Sequence, residues 1–281
     1  MCRKRIFSNR ERIWLYICRE CGAEELFPQP SPELLSEQYF GYNARRNALV
    51  KIEFPKEDFF TDMLCSNSWL IPKKKGFSVL ELGSGGGDFV RAFNRLYRGS
   101  KITAVEMNPE SETILTKLDC EYFRADVLEF LESCDKRFDI VFMFDVLEHL
   151  RDPAKTLSNI SRLLNPGGKI VLTAPLSGSL LHRITGRLWP QYKLEHLFYF
   201  SAKSFELLGL RAGLKPLKID ALAKKLPVSY LLSVGSNFGP KIFSSLVNSV
   251  TGSVPSLLYN FKIKLQLGEA FIVYAKNEIK N

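Results

Sequence analysis

The sequence predicts an α/β fold with a mostly parallel sheet and crossover helices, and three observations carry that reading. Val79 to Asp88 reads as a short apolar strand, a turn in which Gly83, Gly85 and Gly87 alternate, and a helix start whose apolar positions Phe89, Val90, Ala92 and Phe93 follow helical spacing. After it, strand-like apolar runs alternate with helical stretches, the order that builds crossover units. Most of these runs end in a polar or glycine-rich cluster, the place where open α/β sheets bind ligands. At 281 residues, 46% hydrophobic and 25% charged, the chain is long enough for a moderate core with an appendage.

Taken in order, residues 1–12 are basic and loosely patterned, and Trp14–Ile17 forms a strand leading into Cys18-Arg19-Glu20-Cys21-Gly22. This is one half of a zinc ribbon, with Cys18 and Cys21 as candidate ligands. A structural zinc takes four, and only Cys2 lies nearby upstream, leaving Cys65 as a remote candidate; a metal-free knuckle is the other reading. Leu26–Glu33 carries three prolines and is expected to be an extended linker, with Ser31-Pro32-Glu33 starting a helix through about Tyr39. Residues 56–71 are amphipathic, with Phe59, Phe60, Met63, Leu64 and Leu70 expected in the core. Strands follow at Ser78–Leu82, Lys101–Val105, Tyr122–Phe123, Phe138–Phe142 and Lys169–Thr173, with a helix at about Pro153–Leu164 and a turn at Asn165–Gly168. Residues 216–222 and 268–276 read as the last two strands, separated by an apolar, basic insertion at 226–265 that is long for such a connection.

The glycine turn discriminates between ligands. Neither Gly83 nor Gly85 opens a G-x-G-x-x-G frame, since the sixth positions are Asp88 and Val90, so a dinucleotide site is not written here. What stands is Glu81-x-Gly-x-Gly-x-Gly, with Glu106 nineteen residues after Gly87, Asp126 after the third strand and Asp145 after the fourth. With Val105-Glu106, Ala125-Asp126, Phe138–Val141, Val146–Leu150 and Leu164–Gly168, this succession resembles the motifs of class I S-adenosylmethionine-dependent methyltransferases over about residues 76–175. Glu195–Ser201, followed by a helix ending Ala212-Gly213-Leu214, is similar to the C-terminal signature of a bacterial branch acting on small molecules and sugars, some of whose members carry N-terminal cysteine knuckles.

The resemblance implies a Rossmann-like, doubly wound sheet of seven strands, six parallel and the last antiparallel. Residues 1–40 would be an N-terminal extension and 41–281 the methyltransferase domain, with an acceptor-side lid at 176–265 that includes a helical insertion before the last strand. It implies S-adenosylmethionine as cofactor, held by Glu81, Gly83, Ser84, Gly85, Gly87, Glu106, Met107, Asp126, Val127, Phe144 and Asp145. Chemically, a carboxylate at Glu106 accepts hydrogen bonds from both ribose hydroxyls, and Asp126 is placed for the adenine amino group with Val127 or Leu128 against the ring. A base for the acceptor proton is most economically a histidine, which makes His149 and His196 the candidates, ahead of His182 and of Glu148 and Glu195 as alternative bases or metal ligands.

The expected function is methyl transfer to a small-molecule acceptor, a sugar or lipid-linked saccharide. RNA methylation and non-catalytic cofactor binding are the alternatives. The net charge of +9 fits an anionic partner, but no aromatic-basic recognition module accompanies it, so nucleic acid is not the expected partner. Six irregularly spaced cysteines, no signal peptide and no apolar run of membrane-spanning length point to the cytoplasm. Peripheral membrane contact through 226–265 and a lid or dimer contact there are both open readings. Oligomeric state is not legible.

Overall fold

Aromatic and aliphatic residues at Trp14–Ile17 build the centre of a small sheet. The computed structural model describes residues 2–4, 13–35, 56–232, 256–259 and 261–276. Strands β1 (Cys2–Lys4), β2 (Trp14–Ile17) and β3 (Glu24–Phe27) pair antiparallel. The Cys-x-x-Cys-Gly turn between β2 and β3 closes on its own backbone: Cys18 N donates to Ala23 O at 2.8 Å and Gly22 N to Cys18 O at 2.9 Å, with Gly22 at φ +70°. Leu26 and Phe27, expected in a linker, belong to β3 because Leu26 pairs with Leu15 and is fully buried; the prolines begin one residue later. The helix at Ser31 starts as expected, Ser31 Oγ accepting from Leu34 N, and the remainder to Tyr39 lies outside the described residues.

Helix α1 (Lys56–Ser66) precedes the main sheet, and β4 (Ser78–Leu82), α2 (Asp88–Leu96) and β5 (Lys101–Val105) form its first crossover unit. There follow α3 (Glu112–Leu115), β6 (Glu121–Phe123), α4 (Val127–Ser133), β7 (Phe138–Phe144), α5 (Pro153–Leu163) and β8 (Leu164–Pro175). Asp126 caps α4, its Oδ1 accepting from Leu128 N and Glu129 N, and Asp152 caps α5 with Pro153 at the first helical position. The Asn165–Gly168 turn is looped out of a longer strand: Leu164 pairs with Phe138, and pairing resumes at Lys169 with Ile140.

Beyond β8 come α6 (Leu180–Thr185), β9 (Phe198–Tyr199), α7 (Ala202–Arg211), β10 (Leu214–Pro227), α8 (Ser256–Tyr259) and β11 (Lys262–Lys276). The main sheet has the order β10-β11-β8-β7-β4-β5-β6, antiparallel only where β11 meets its two neighbours, which gives six parallel strands and one reversed. β10 and β11 run longer than their apolar cores foretell, because past the Glu269–Pro175 pair they continue with each other as a two-stranded ribbon to Pro227–Lys262. The predicted insertion is correspondingly shorter than 226–265, and its middle, residues 233–255, lies outside the described residues.

The sheet is covered on both faces. Leu131, Leu157, Ile160 and Phe205, from α4, α5 and α7, join one buried cluster, while Met63, Leu64, Phe89 and Phe93, from α1 and α2, join the other. Each such aliphatic or aromatic side chain contributes about 1.5–3 kcal/mol on burial. A third cluster, Ile13, Leu15, Leu26, Trp189, Leu194 and Tyr199, lies with the small sheet, which β9 completes by pairing with β3.

Candidate active site

A cavity of about 540 Å³ opens at the carboxyl ends of β4, β5, β7 and β8, a volume typical of a small-ligand site. Its floor is the glycine turn. Gly83 has φ +77°, and a Cβ there would sit 2.3 Å from Val146 Cγ2, so both backbone conformation and packing demand glycine. Gly85 has φ +49° with free space where a Cβ would stand, a cradle that leaves main chain open to a ligand. Gly87 does not line the cavity. At φ +75° it starts α2, packed so closely on Leu118 and Leu115 that a Cβ would lie 2.7 Å from Leu118.

Glu106 ties two of the strand ends together. Its Oε2 accepts from Gly85 N and its Oε1 from Asn108 N, each at 2.8 Å. Each carboxylate oxygen keeps a second lone pair for a ligand hydroxyl. Glu81 lies beneath the turn, 3% exposed, with Oε2 unpartnered, and burial pushes its carboxyl up to about 8, Ser84 opposing and Glu106 adding. Ser84, Met107, Val127 and Phe144 all line the cavity, Met107 being 66% exposed at its mouth. Asp126 lines it too, with Oδ1 engaged as the α4 cap, which leaves Oδ2 as the oxygen for a ligand. Asp145 is the one non-glycine residue at positive φ among the described residues, at 55°. It is pinned by Thr173, whose carbonyl and hydroxyl accept from Asp145 N and whose hydroxyl donates to Asp145 Oδ1 at 2.8 Å.

The two histidines part company. His149 lines the cavity on the 3₁₀ turn Leu147–His149. Its Nδ1 lies 2.9 Å from Glu195 O, and a carbonyl only accepts, so Nδ1 carries the proton and Nε2 presents a lone pair. Burial holds its pKa below the usual imidazole range. His196 does not reach the cavity: it is 4% exposed behind His149, ring edge to face at 4.8 Å, with Nδ1 unpartnered and its pKa driven well down by burial and by His149. Its sequence neighbourhood pointed to an acceptor contact, but the fold turns it into the wall supporting His149. Glu148 completes a group whose ligand atoms lie within 4.8 Å of one another, the set of three among the described residues that could gather on a cation. Burial raises the Glu148 carboxyl well above its ordinary value, with Asp145 adding to it.

Cys18 and Cys21 stand apart from this cavity, and among the described residues no third metal ligand joins them; Cys65 is exposed on α1, and the Cys2 side chain is outside the described set. The described residues thus supply two of the four ligands that a structural zinc takes.

Residues that sequence patterning missed come from distant elements. Lys56, Phe59 and Phe60 of α1 line the cavity, although spacing put the two phenylalanines in the core. Both also pack on the buried cluster of that face, the Phe60 ring lying tilted at 4.9 Å from Phe144 and edge to face at 5.5 Å from Phe89. Lys224 of β10 and Tyr230 close the far side. Lys224 pairs with the buried Glu269 and lies 5.3 Å over the Phe59 ring; burial lowers its pKa, and the Glu269 and Asp145 charges more than reverse that. No local pattern marks it, since its direction depends on the β10–β11 register.

A family model described as a methyltransferase domain matches residues 45–219, more than half of the chain. A ubiquinone biosynthesis O-methyltransferase of Alkalilimnicola ehrlichii is 29% identical over 105 residues, 35% of this chain and 42% of that one. The enzyme of the same name from Pseudoalteromonas translucida is 24% identical over 196 residues, 65% of this chain and 79% of that one. The match to the first thus spans about two-fifths of that relative's length. Among solved structures, the complex of the Haloferax volcanii Trm112 methyltransferase activator with its methyltransferase superposes with a TM-score of 0.59 at 16% identity, covering 88% of this chain and 99% of that one, a likeness of fold.

Proposed function

The chain belongs to the methyltransferase-domain family, with the class I S-adenosylmethionine-dependent fold, and on that premise we propose that it methylates an oxygen of a small-molecule acceptor. The observation that carries the cofactor half is the Glu106 carboxylate, fixed by Gly85 N and Asn108 N on the cavity floor with lone pairs left for vicinal hydroxyls. The open cradle at Gly85 and the orphaned, buried Oε2 of Glu81 fit the same ligand, the second as a partner for its cationic amino-acid end.

When bound, the cofactor supplies an activated, electrophilic methyl group. The protein's work is then alignment and proton removal. His149 is the proposed base: Nδ1 is committed to Glu195 O, and Nε2 accepts the acceptor's hydroxyl proton. His196 and buried Glu148 hold the imidazole in place, and Phe59, Phe60, Lys224 and Tyr230 shape the acceptor end. Transfer to oxygen is supported by the names of the two relatives and by a hydroxyl's need for a base. A sugar or lipid-linked saccharide is the proposed acceptor class, on the resemblance of the Glu195–Ser201 block.

Calorimetric titration with S-adenosylhomocysteine tests the cofactor half. The expected result is micromolar binding that weakens at least about 10-fold in Glu106→Ala, the scale of losing 1–3 kcal/mol of charge-assisted hydrogen bonding. No binding by the folded wild type overturns the proposal.

A further inference from the structure

The segment that leaves β8 inverts the usual rule for a helix on a protein surface. Between Leu176 and Leu194 there is no aspartate or glutamate, while Arg183, Arg187 and Lys193 supply three cations. Helix α6 and the 3₁₀ turn Gly186–Leu188 shape it into a short rod. One side is anchored: Leu181 packs on the third apolar cluster and Trp189 is 2% exposed. Away from that anchor stand Leu180 and Ile184, four apart on one face of α6, and Leu188 on the turn that follows, 72%, 73% and 77% exposed. Arg183 and Arg187 are exposed beside them, and neither forms an ion pair among the described residues. Large aliphatics held outward on a fixed element mark an interaction surface rather than scattered surface residues.

We propose that this face docks onto an anionic phospholipid bilayer. Interleaved aliphatics and arginines without any acid match an interface whose outer layer is phosphate and whose next layer is acyl chain. The three aliphatics enter the headgroup–acyl boundary while the guanidinium groups stay at the phosphates. The rod leaves the carboxyl end of β8, the sheet edge at which the cavity opens, and the β10–β11 ribbon runs past that same edge with Phe261 61% exposed. Docking therefore brings the cavity mouth toward the bilayer and gives a lipophilic acceptor a route in. The contact goes beyond methyl transfer and is read without turnover, so its failure is separate from failure of the cofactor assignment.

The test is co-sedimentation of the full chain with vesicles of phosphatidylcholine alone and of phosphatidylcholine with phosphatidylglycerol. The wild type is expected to bind the anionic vesicles and not the neutral ones. Arg183→Gln with Arg187→Gln is expected to weaken partitioning about 30-fold, the factor for two cations removed from an anionic surface. Leu180→Ser, Ile184→Ser and Leu188→Ser together are expected to lose vesicle binding while keeping the wild-type affinity for S-adenosylhomocysteine, with Ile184→Ser alone as the milder variant should the triple fail to fold. Absence of wild-type binding to anionic vesicles overturns the proposal, as does a serine variant that binds like wild type. A dimer by light scattering that the serine variant dissociates assigns the face to a second copy and overturns it equally.

Discussion

At neutral pH the Glu81 carboxyl is largely protonated in the folded chain, where it titrates near 8, and ionised in the unfolded chain, where the ordinary value is 4.5. The native state therefore holds the extra proton between those values, and this group lowers stability as pH rises through the window, by about 1.4 kcal/mol per pH unit. Glu81→Gln is expected to remove that slope in denaturant melts at pH 5.5–7.5; an unchanged slope would show that the carboxyl is already ionised. His149 works in the opposite direction for activity. Its lowered pKa keeps Nε2 deprotonated further into acid than a free imidazole, so the acidic limb of the rate profile is expected below 6.5. His149→Ala should cut kcat by about 10²–10⁴-fold with unchanged affinity for S-adenosylhomocysteine; a drop in that affinity instead would make it a cofactor contact. At this scale Glu106, Asp126 and Asp145 were legible because each follows a strand whose apolar run is visible in the sequence, and Glu81 because it stands on the strand that leads into the glycine turn. Thr173 and Lys224 were not, because strand register decides their direction, and Tyr230 was not, because it lies past β10 in a short helical stretch.

Among the elements, α7 shows how close the packing on the sheet is. Tyr274 of β11 fills the space beside Gly209, where a Cβ would lie 2.3 Å from its ring, and the tyrosine hydroxyl donates to Phe205 O at 2.7 Å. Gly209→Ala gains helix propensity of about 1 kcal/mol but forces that ring aside at a typical overpacking cost of about 1–3 kcal/mol. The expected outcome is a lower midpoint in thermal melts, and a raised midpoint would mean that the ring moves freely. Sequence periodicity placed β4 and β5 to the residue, because both are short, apolar and bounded by polar turns. It shortened β8, β10 and β11, since a bulge hides the pairing of Leu164 and the ribbon beyond the sheet is half polar.

For the whole molecule, the small sheet is fastened to the acceptor-side segment through one buried carboxylate. Glu24 of β3, 3% exposed, accepts from Ser177 Oγ and from Tyr192 OH, the latter at 2.7 Å. Gly178 N donates to His182 Nδ1, so Nε2 carries the proton and donates to the same tyrosine oxygen at 2.9 Å. Glu24→Ala removes the shared acceptor of Ser177 Oγ and Tyr192 OH, at about 1–3 kcal/mol. It should raise the acceptor KM with little change in cofactor affinity, and equal losses in both would mean that the segment also braces the cofactor floor. None of this was visible from the Cys-x-x-Cys turn, which drew attention to a metal rather than to the strand that follows it. The reversed direction of β11 has a consequence of another kind. The two strands that flank residues 228–261 stay paired out to Pro227 and Lys262, beyond the Glu269–Pro175 pair where the main sheet ends. Tyr230, early in that passage, lines the cavity, so replacing it alters that wall and leaves the glycine turn and Glu106 untouched. On the proposed function, evolution can thus revise the wall at the acceptor end and the hold on the methyl donor as two separate texts.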